Sequence, residues 1–330
     1  TPVIEIDQDK LKEDLKYGLK QYGMPRRAKL VDDENEKNSN EKKILVYNND
    51  QFYCLHSYDE LSKIANGVDS SYTVTREISN SDNLILFNKK GQMKILNGFS
   101  FNYTDTGIAM EKVAFADVVN VSVISDLADR DIALVTKFGY GKIMSYDDIG
   151  KSVKGKVITL NSGDELVGVV PVTENGILGM IDKDLIYYVR ADSIPKLKRS
   201  AAGNRLVKVK TPLNITGVIF ADNEYPYLMI YGESGYIKIL DTAYLGFSKR
   251  TANCISMKGK LVYNVIPIDN KETTVTLYNT KGAIGITINL GDKIQFKTET
   301  GAKKTFPMST SIGNPVKLLS VGKHEFYRIF

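Results

Sequence analysis

A β-hairpin of nearly constant wording recurs along this chain, and that recurrence limits the possible fold more than any other feature. Five segments align with one another: 84–96 (LILFNKKGQMKIL), 133–145 (ALVTKFGYGKIMS), 178–190 (LGMIDKDLIYYVR), 228–240 (LMIYGESGYIKIL) and 275–288 (VTLYNTKGAIGITI). A weaker sixth copy, 44–55 (ILVYNNDQFYCL), comes before them. Each copy is an apolar strand, a short polar turn and a second strand that often carries Lys. The turn residues Asp50, Gly91, Gly139, Asp184, Gly235 and Gly282 lie 41, 48, 45, 51 and 47 residues apart. A period in this range signals a blade or array architecture.

Between hairpins the text supplies further strand-like runs, such as 165–171 (ELVGVVP) and 261–268 (LVYNVIPI). This gives roughly four strands per unit and about six units. A lone sheet of this size cannot bury both faces, so the sheets must stack side by side. Closing the stack also limits exposed sheet edges. The expected fold is all-β: a propeller-like disc of six four-stranded blades, preceded by a short helical N-terminal segment. A closed, an open and a spiral disc all fit this pattern.

The composition agrees with strands: 19 Tyr, no Trp and many β-branched residues. No apolar run approaches the roughly 18–20 residues needed to cross a bilayer. The first residues, Thr1 to Glu5, lack a basic start and an apolar stretch, so no signal peptide is expected. A chain that begins with Thr1 rather than Met is expected to be part of a longer protein. Residues 7–22 read as a helix, with Leu11, Leu15, Leu19 and Tyr22 on one stripe. Gly23 and Pro25 stop it. The polar run 32–43 (DDENEKNSNEKK) reads as a flexible linker. The expected organisation is therefore 1–31 helix and strand, 32–43 linker and 44–330 repeat domain.

Two cysteines, Cys54 and Cys254, fall in strand-like text and are expected to be small buried residues in a reducing compartment. With His56 and His324 they form no familiar zinc spacing. The acidic pairs Asp147-Asp148 and Asp32-Asp33 are sequence neighbours, which point to opposite faces of an extended strand, so they make poor acid–base pairs. A Walker-type phosphate loop is absent.

The net charge of +5 is unevenly spread. Residues 131–330 hold 27 Lys and Arg against 18 Asp and Glu, whereas residues 44–130 hold 7 against 11. Such asymmetry points to a polyanionic partner for one part of the surface; the bland alternative is an ordinary lysine-rich solvated surface.

Two kinds of text carry a family resemblance. The first is 15–31 (LKYGLKQYGMPRRAKLV), a helix ending in Tyr22-Gly23, followed by Arg26-Arg27 and an extended stretch. The second is the repeat itself. Gly235-Tyr236-Ile237-Lys238 is followed by Gly246-Phe247-Ser248-Lys249-Arg250-Thr251-Ala252-Asn253, and 192–210 (DSIPKLKRSAAGNRLVKVK) is a close copy of that second element. In this order the chain resembles the C-terminal part of the A subunit of a bacterial-type type IIA topoisomerase, DNA gyrase or topoisomerase IV. The resemblance implies that residues 1–31 close a breakage–reunion core and that 44–330 form a β-pinwheel that bends duplex DNA around its rim. Gyrase subunits carry a Gln-Arg-Arg-Gly-Gly-Lys-Gly type box after the first hairpin. Here that region, 62–71 (SKIANGVDSS), has one Lys and no Arg. Six blades fit gyrase; the missing box fits topoisomerase IV or a divergent, phage-encoded enzyme.

The resemblance implies double-stranded DNA as partner, together with the rest of the A subunit and the ATPase B subunit. It implies no cofactor here: Mg2+ and ATP would act through regions or subunits outside this chain, as would the catalytic tyrosine. It also implies a bacterial cytoplasm, or an infected host cell for a phage enzyme. The expected DNA contacts are the cations that recur at the blade period. They are Lys151, Lys154 and Lys156 after the third hairpin, and Lys196, Lys198, Arg199, Arg205, Lys208 and Lys210 after the fourth. Lys238, Lys249, Arg250, Lys258 and Lys260 belong to the fifth, and Lys293, Lys297, Lys303 and Lys304 follow the sixth. Residues 99–111 after the second hairpin have no basic residue, so DNA is expected along blades three to six, leaving near blades one and two. The competing reading is a propeller-like module that binds protein and no nucleic acid.

Overall fold

The computed structural model describes residues 40–48, 50–57, 60, 64, 74–127, 130–233, 236–248 and 252–268, with seven further short strands between 273 and 328 described by their backbone alone. The chain divides into two compact units, Thr1–Glu41 and Lys42–Phe330. The expected helix at 7–22 and residues 62–63 and 65–71 of the would-be gyrase box lie outside the described residues.

All six hairpins form, each antiparallel. Asn83–Asn88 pairs with Gln92–Asn97, Asp131–Thr136 with Tyr140–Met144, and Ile177–Asp182 with Leu185–Arg190. Tyr227–Gly232 pairs with Tyr236–Asp241, Thr273–Asn279 with Gly282–Ile288, and Lys42–Tyr47 with Gln51–Leu55. The turns explain the repeated glycine. Gly91 and Gly139 have φ of 69° and 78°, the left-handed region that costs glycine nothing. The first strand begins at Lys42, and Lys43, read from sequence as linker, is buried within it.

No four-stranded sheet is built from one repeat alone. The second hairpin is flanked by Val118–Val123 on one side and by Lys154–Lys156 on the other. The first of these strands precedes the third hairpin and the other follows it. The same exchange recurs: Leu166–Val172 and Asn204–Arg205 flank the third hairpin, Gly217–Ala221 and Cys254–Ser256 the fourth, and Val262–Ile268 and Ser309–Ser311 the fifth. After each hairpin the chain therefore visits the preceding sheet before returning to complete its own.

The two flanking positions have different surroundings. Val118–Val123, Leu166–Val172, Gly217–Ala221 and Val262–Ile268 contact one another in series and line a cavity of about 800 Å³ with Tyr47 and Arg76. They are the inner strands. The short strands Thr104–Ala109, Lys154–Lys156, Asn204–Arg205, Cys254–Ser256 and Ser309–Ser311 lie at the opposite, outer edges.

The expected all-β, propeller-like class holds, but the blade count is corrected from six to five. Four sheets have four strands, and the first and last repeats share a single eight-stranded sheet. The reason lies in the last strands: Leu318–Val321, the inner flank of the sixth hairpin, pairs with Glu325–Arg328. That strand meets Val74–Ser79 of the first repeat at Tyr327 and Val74. A separate two-stranded ribbon, Ile294–Lys297 with Lys303–Phe306, completes the set.

The core lies between consecutive sheets. Leu84 and Leu86 pack with Leu45, Phe52 and Phe101 toward the first sheet; Ile85 and Phe87, on the other face of the same strand, pack with Ile132, Leu134 and Val157 toward the third. Burial on both faces explains why these strands read as continuous apolar runs instead of alternating ones. Cys254 corrects the expectation of two buried cysteines: it is exposed, because the outermost strand buries only its middle residue, Ile255. Cys54 is buried, and burial pushes its thiol up to about 11.

Gly91 joins turn chemistry to exchange. Its carbonyl accepts from Val157 N, and a Cβ there would lie 2.8 Å from Ile158 Cγ2 and 2.9 Å from the Ile158 carbonyl oxygen. Gly91→Ala should therefore lower stability by more than about 1 kcal/mol, measured by urea unfolding, since it combines a positive φ with a backbone clash.

Candidate nucleic-acid interface

The outer-edge strands carry the cations. In Lys154–Lys156 the two lysines are exposed, and Gly155 alternates to the other face. Strand exchange places this strand against Gln92–Asn97, so the cluster that follows the third hairpin sits on the sheet of the second. The same one-sheet shift carries Arg205 to the third hairpin's sheet, where it pairs with Tyr140 and its guanidinium lies 5.9 Å from the ring centroid. A path along the outer edges therefore begins on the second sheet, one sheet earlier than the sequence places it.

The structure brings two clusters into contact. Arg199 covers the Gly155 face of the outer strand: a Cβ on Gly155 would stand 3.1 Å from an Arg199 terminal nitrogen. Thr159 donates its hydroxyl to the Ser200 carbonyl at 2.8 Å and its amide to the Ala201 carbonyl at 3.4 Å. The turn at 198–201 closes with Ala201 N donating to Lys198 O at 3.0 Å. Cations from two consecutive repeats (Lys154 and Lys156, Lys198 and Arg199) thus share one seam. Arg199 Nε is buried and has no hydrogen-bond partner among the described residues.

The remaining expected contacts differ in how free they are. Lys151 is paired with Asp148, and Lys196 with Asp131 at 2.7 Å; hydrogen bonding to these carboxylates raises the pKa of both lysines. Exposed pairs of this kind are weak and are screened by salt, so either lysine can change partner. Lys208 and Lys210 are exposed beyond the outer strand of the third hairpin's sheet. Lys258 is exposed beside Cys254–Ser256, with its amide donating to Ser256 Oγ, and Lys260 lies 5.3 Å from the Tyr236 ring centroid. Lys238 is half-buried within its hairpin strand. Lys297, Lys303 and Lys304 belong to the two-stranded ribbon, with Lys297 opposite Lys303. Lys249, Arg250 and Lys293 lie outside the described residues.

Sequence reading missed Lys142. It is fully buried, and its ammonium donates to the carbonyls of Lys198 (2.7 Å), Arg199 (2.6 Å) and Ala201 (2.9 Å). Burial pushes it down to about 8, and Asp148 acts in the opposite sense. The available signal was its place among apolar neighbours, between Gly141 and Ile143, opposite Leu134 in the hairpin register. Among the described residues no cluster of His, Cys, Asp and Glu could hold a metal ion.

Two stretches, residues 130–173 and 182–212, match the family described as DNA gyrase C-terminal domain, beta-propeller. They cover the third hairpin, the second strand of the fourth, Leu185–Arg190, and residues 154–159 and 198–201 of the seam. The chain resembles the C-terminal domain of a type IIA topoisomerase A subunit. Solved structures share the fold of this chain. The C-terminal domain of a DNA topoisomerase IV aligns at 14% identity over 86% of this chain and 93% of that one, with a TM-score of 0.58. A DNA gyrase A C-terminal domain aligns at 17% identity over 86% of this chain and 100% of that one, with a TM-score of 0.56. No curated protein sequence matches the chain.

The outer edge of the sheets offers a chemical probe. Cys254 should react with a maleimide in the folded state, and Cys54 only after denaturation; equal labelling of both in the native protein would contradict the assigned strand positions.

Proposed function

We propose that this chain is a DNA-binding domain that bends or wraps duplex DNA for a type IIA topoisomerase A subunit. In this reading the outer edges of consecutive sheets present cations to the phosphates of a curved duplex and deliver it to a strand-passage core. The parent enzyme is an ATP-dependent isomerase of DNA topology in the bacterial cytoplasm or an infected cell. Its catalytic tyrosine, Mg2+ and ATP belong to the rest of the A subunit and to an ATPase B subunit.

The observation that supports this most is the seam, where exchange brings Lys154 and Lys156 together with Lys198 and Arg199 from the next repeat. Each phosphate neutralised releases counterions, with a slope of log affinity against log salt of about −0.9 per contact. Contacts of this kind position the duplex without reading its sequence. Bending by 40–90° over a 20–30 base-pair site costs on the order of 1–6 kcal/mol, so several contacts must act together. Cations repeated from sheet to sheet meet that demand.

Binding to linear duplex DNA, measured by fluorescence anisotropy across a salt series, tests the reading. The chain should bind with a slope of about −4 or steeper, and changing Lys154, Lys156, Lys198 and Lys258 to Glu should weaken binding by at least about 100-fold. No binding, or binding insensitive to salt and to these changes, favours a protein-binding module instead.

A further inference from the structure

We propose that Lys142 is a positioning residue for DNA binding: it pins the turn at 198–201, so that Lys198 and Arg199 join the outer edge that carries Lys154 and Lys156, with Arg199 on the opposite face of that strand from the two lysines. This deepens the DNA-binding reading and rests on it.

An ammonium has three donors and no acceptor. All three donors of Lys142 are matched by carbonyls of a single turn, at 2.6–2.9 Å. A buried charge persists when its hydrogen bonds are complete. With the carbonyls of residues 198, 199 and 201 drawn onto one buried point, the turn is fixed at its base. Its cationic side chains lie beyond that base: Lys198 is exposed, and Arg199 reaches the Gly155 face of the outer strand.

A second buried lysine shows what is particular here. Lys43 holds the Gly98 and Phe101 carbonyls and Asn80 Oδ1 in the same manner. The turn it holds carries Phe99 and no cation. A buried lysine gripping a loop is therefore a general fastening of this fold, and the cations on the fastened turn are what distinguish Lys142. Gly155 leaves room for the Arg199 guanidinium on its face of the strand. A side chain there would crowd Arg199, and its φ of 145° disfavours any residue but glycine.

The test is a double-mutant cycle in the 330-residue chain with a linear duplex of about 30 base pairs as probe. Lys142→Met should weaken binding about ten-fold at moderate salt and make the salt slope shallower by about 2, the loss of two phosphate contacts. In a Lys198→Ala, Arg199→Ala background the same change should have no further effect on binding. A loss of equal size in both backgrounds, or none in the unaltered one, overturns the proposal. Hydrogen exchange on the unaltered chain supplies a second reading that is independent of how Lys142→Met folds. Adding the duplex should slow exchange in both 154–159 and 196–202, and protection of neither or of only one overturns the shared edge. If the unaltered chain fails to bind the duplex at all, the DNA-binding reading itself falls. If it binds and Lys142→Met binds equally well, only the present inference falls.

Discussion

The structure depends on the exchange of strands between neighbouring repeats. A hairpin of two apolar strands cannot stand alone in water, since an isolated pair is marginal and these strands are apolar on both faces. Each hairpin here is completed by strands from the chain that follows it, and each face is covered by an adjacent sheet. The fold is thus held by a chain of nearest-neighbour contacts, in which the loop of one repeat is always part of another's sheet. The same exchange sets the position of the charges: a basic loop is delivered to the outer edge of the preceding sheet, next to the loop of the repeat before it.

The hairpins, the period and the all-β class were legible in the sequence because they rest on local patterns. Apolar runs such as Leu84 to Phe87, the positive-φ glycines Gly91 and Gly139 in the second and third hairpin turns, and β-branched composition all act over a few residues. The blade count was not legible. Whether Glu325–Arg328 closes a sixth sheet or joins the first depends on one long-range pairing, Tyr327 with Val74, for which the strand text carries no mark. The shift of Lys154, Lys156 and Arg205 by one sheet escaped notice for the same reason: counting loops after hairpins assumes that a repeat keeps its own strands.

The candidate site shows a similar division. Lys154, Lys156, Lys198 and Arg199 stand out in sequence as clusters, and the structure places them together. Lys142 is absent from the expected contacts, and its burial shows it to be an internal fastener with three carbonyl partners. Cys54 and Cys254 sit in similar text, yet one lies in a strand packed on both sides and the other on an outermost strand. Burial within a repeat fold depends on the strand's rank in its sheet, and sequence patterns report periodicity much better than rank.

The central claim is that cations set out along consecutive outer edges hold a duplex in a curve. It is tested most directly by ligating a nicked circular DNA in the presence of saturating protein and reading the linking number after the protein is removed. The account predicts topoisomers displaced from the protein-free control, by an amount that grows with protein bound and collapses when the seam lysines are replaced. An unchanged topoisomer distribution at full occupancy would contradict it.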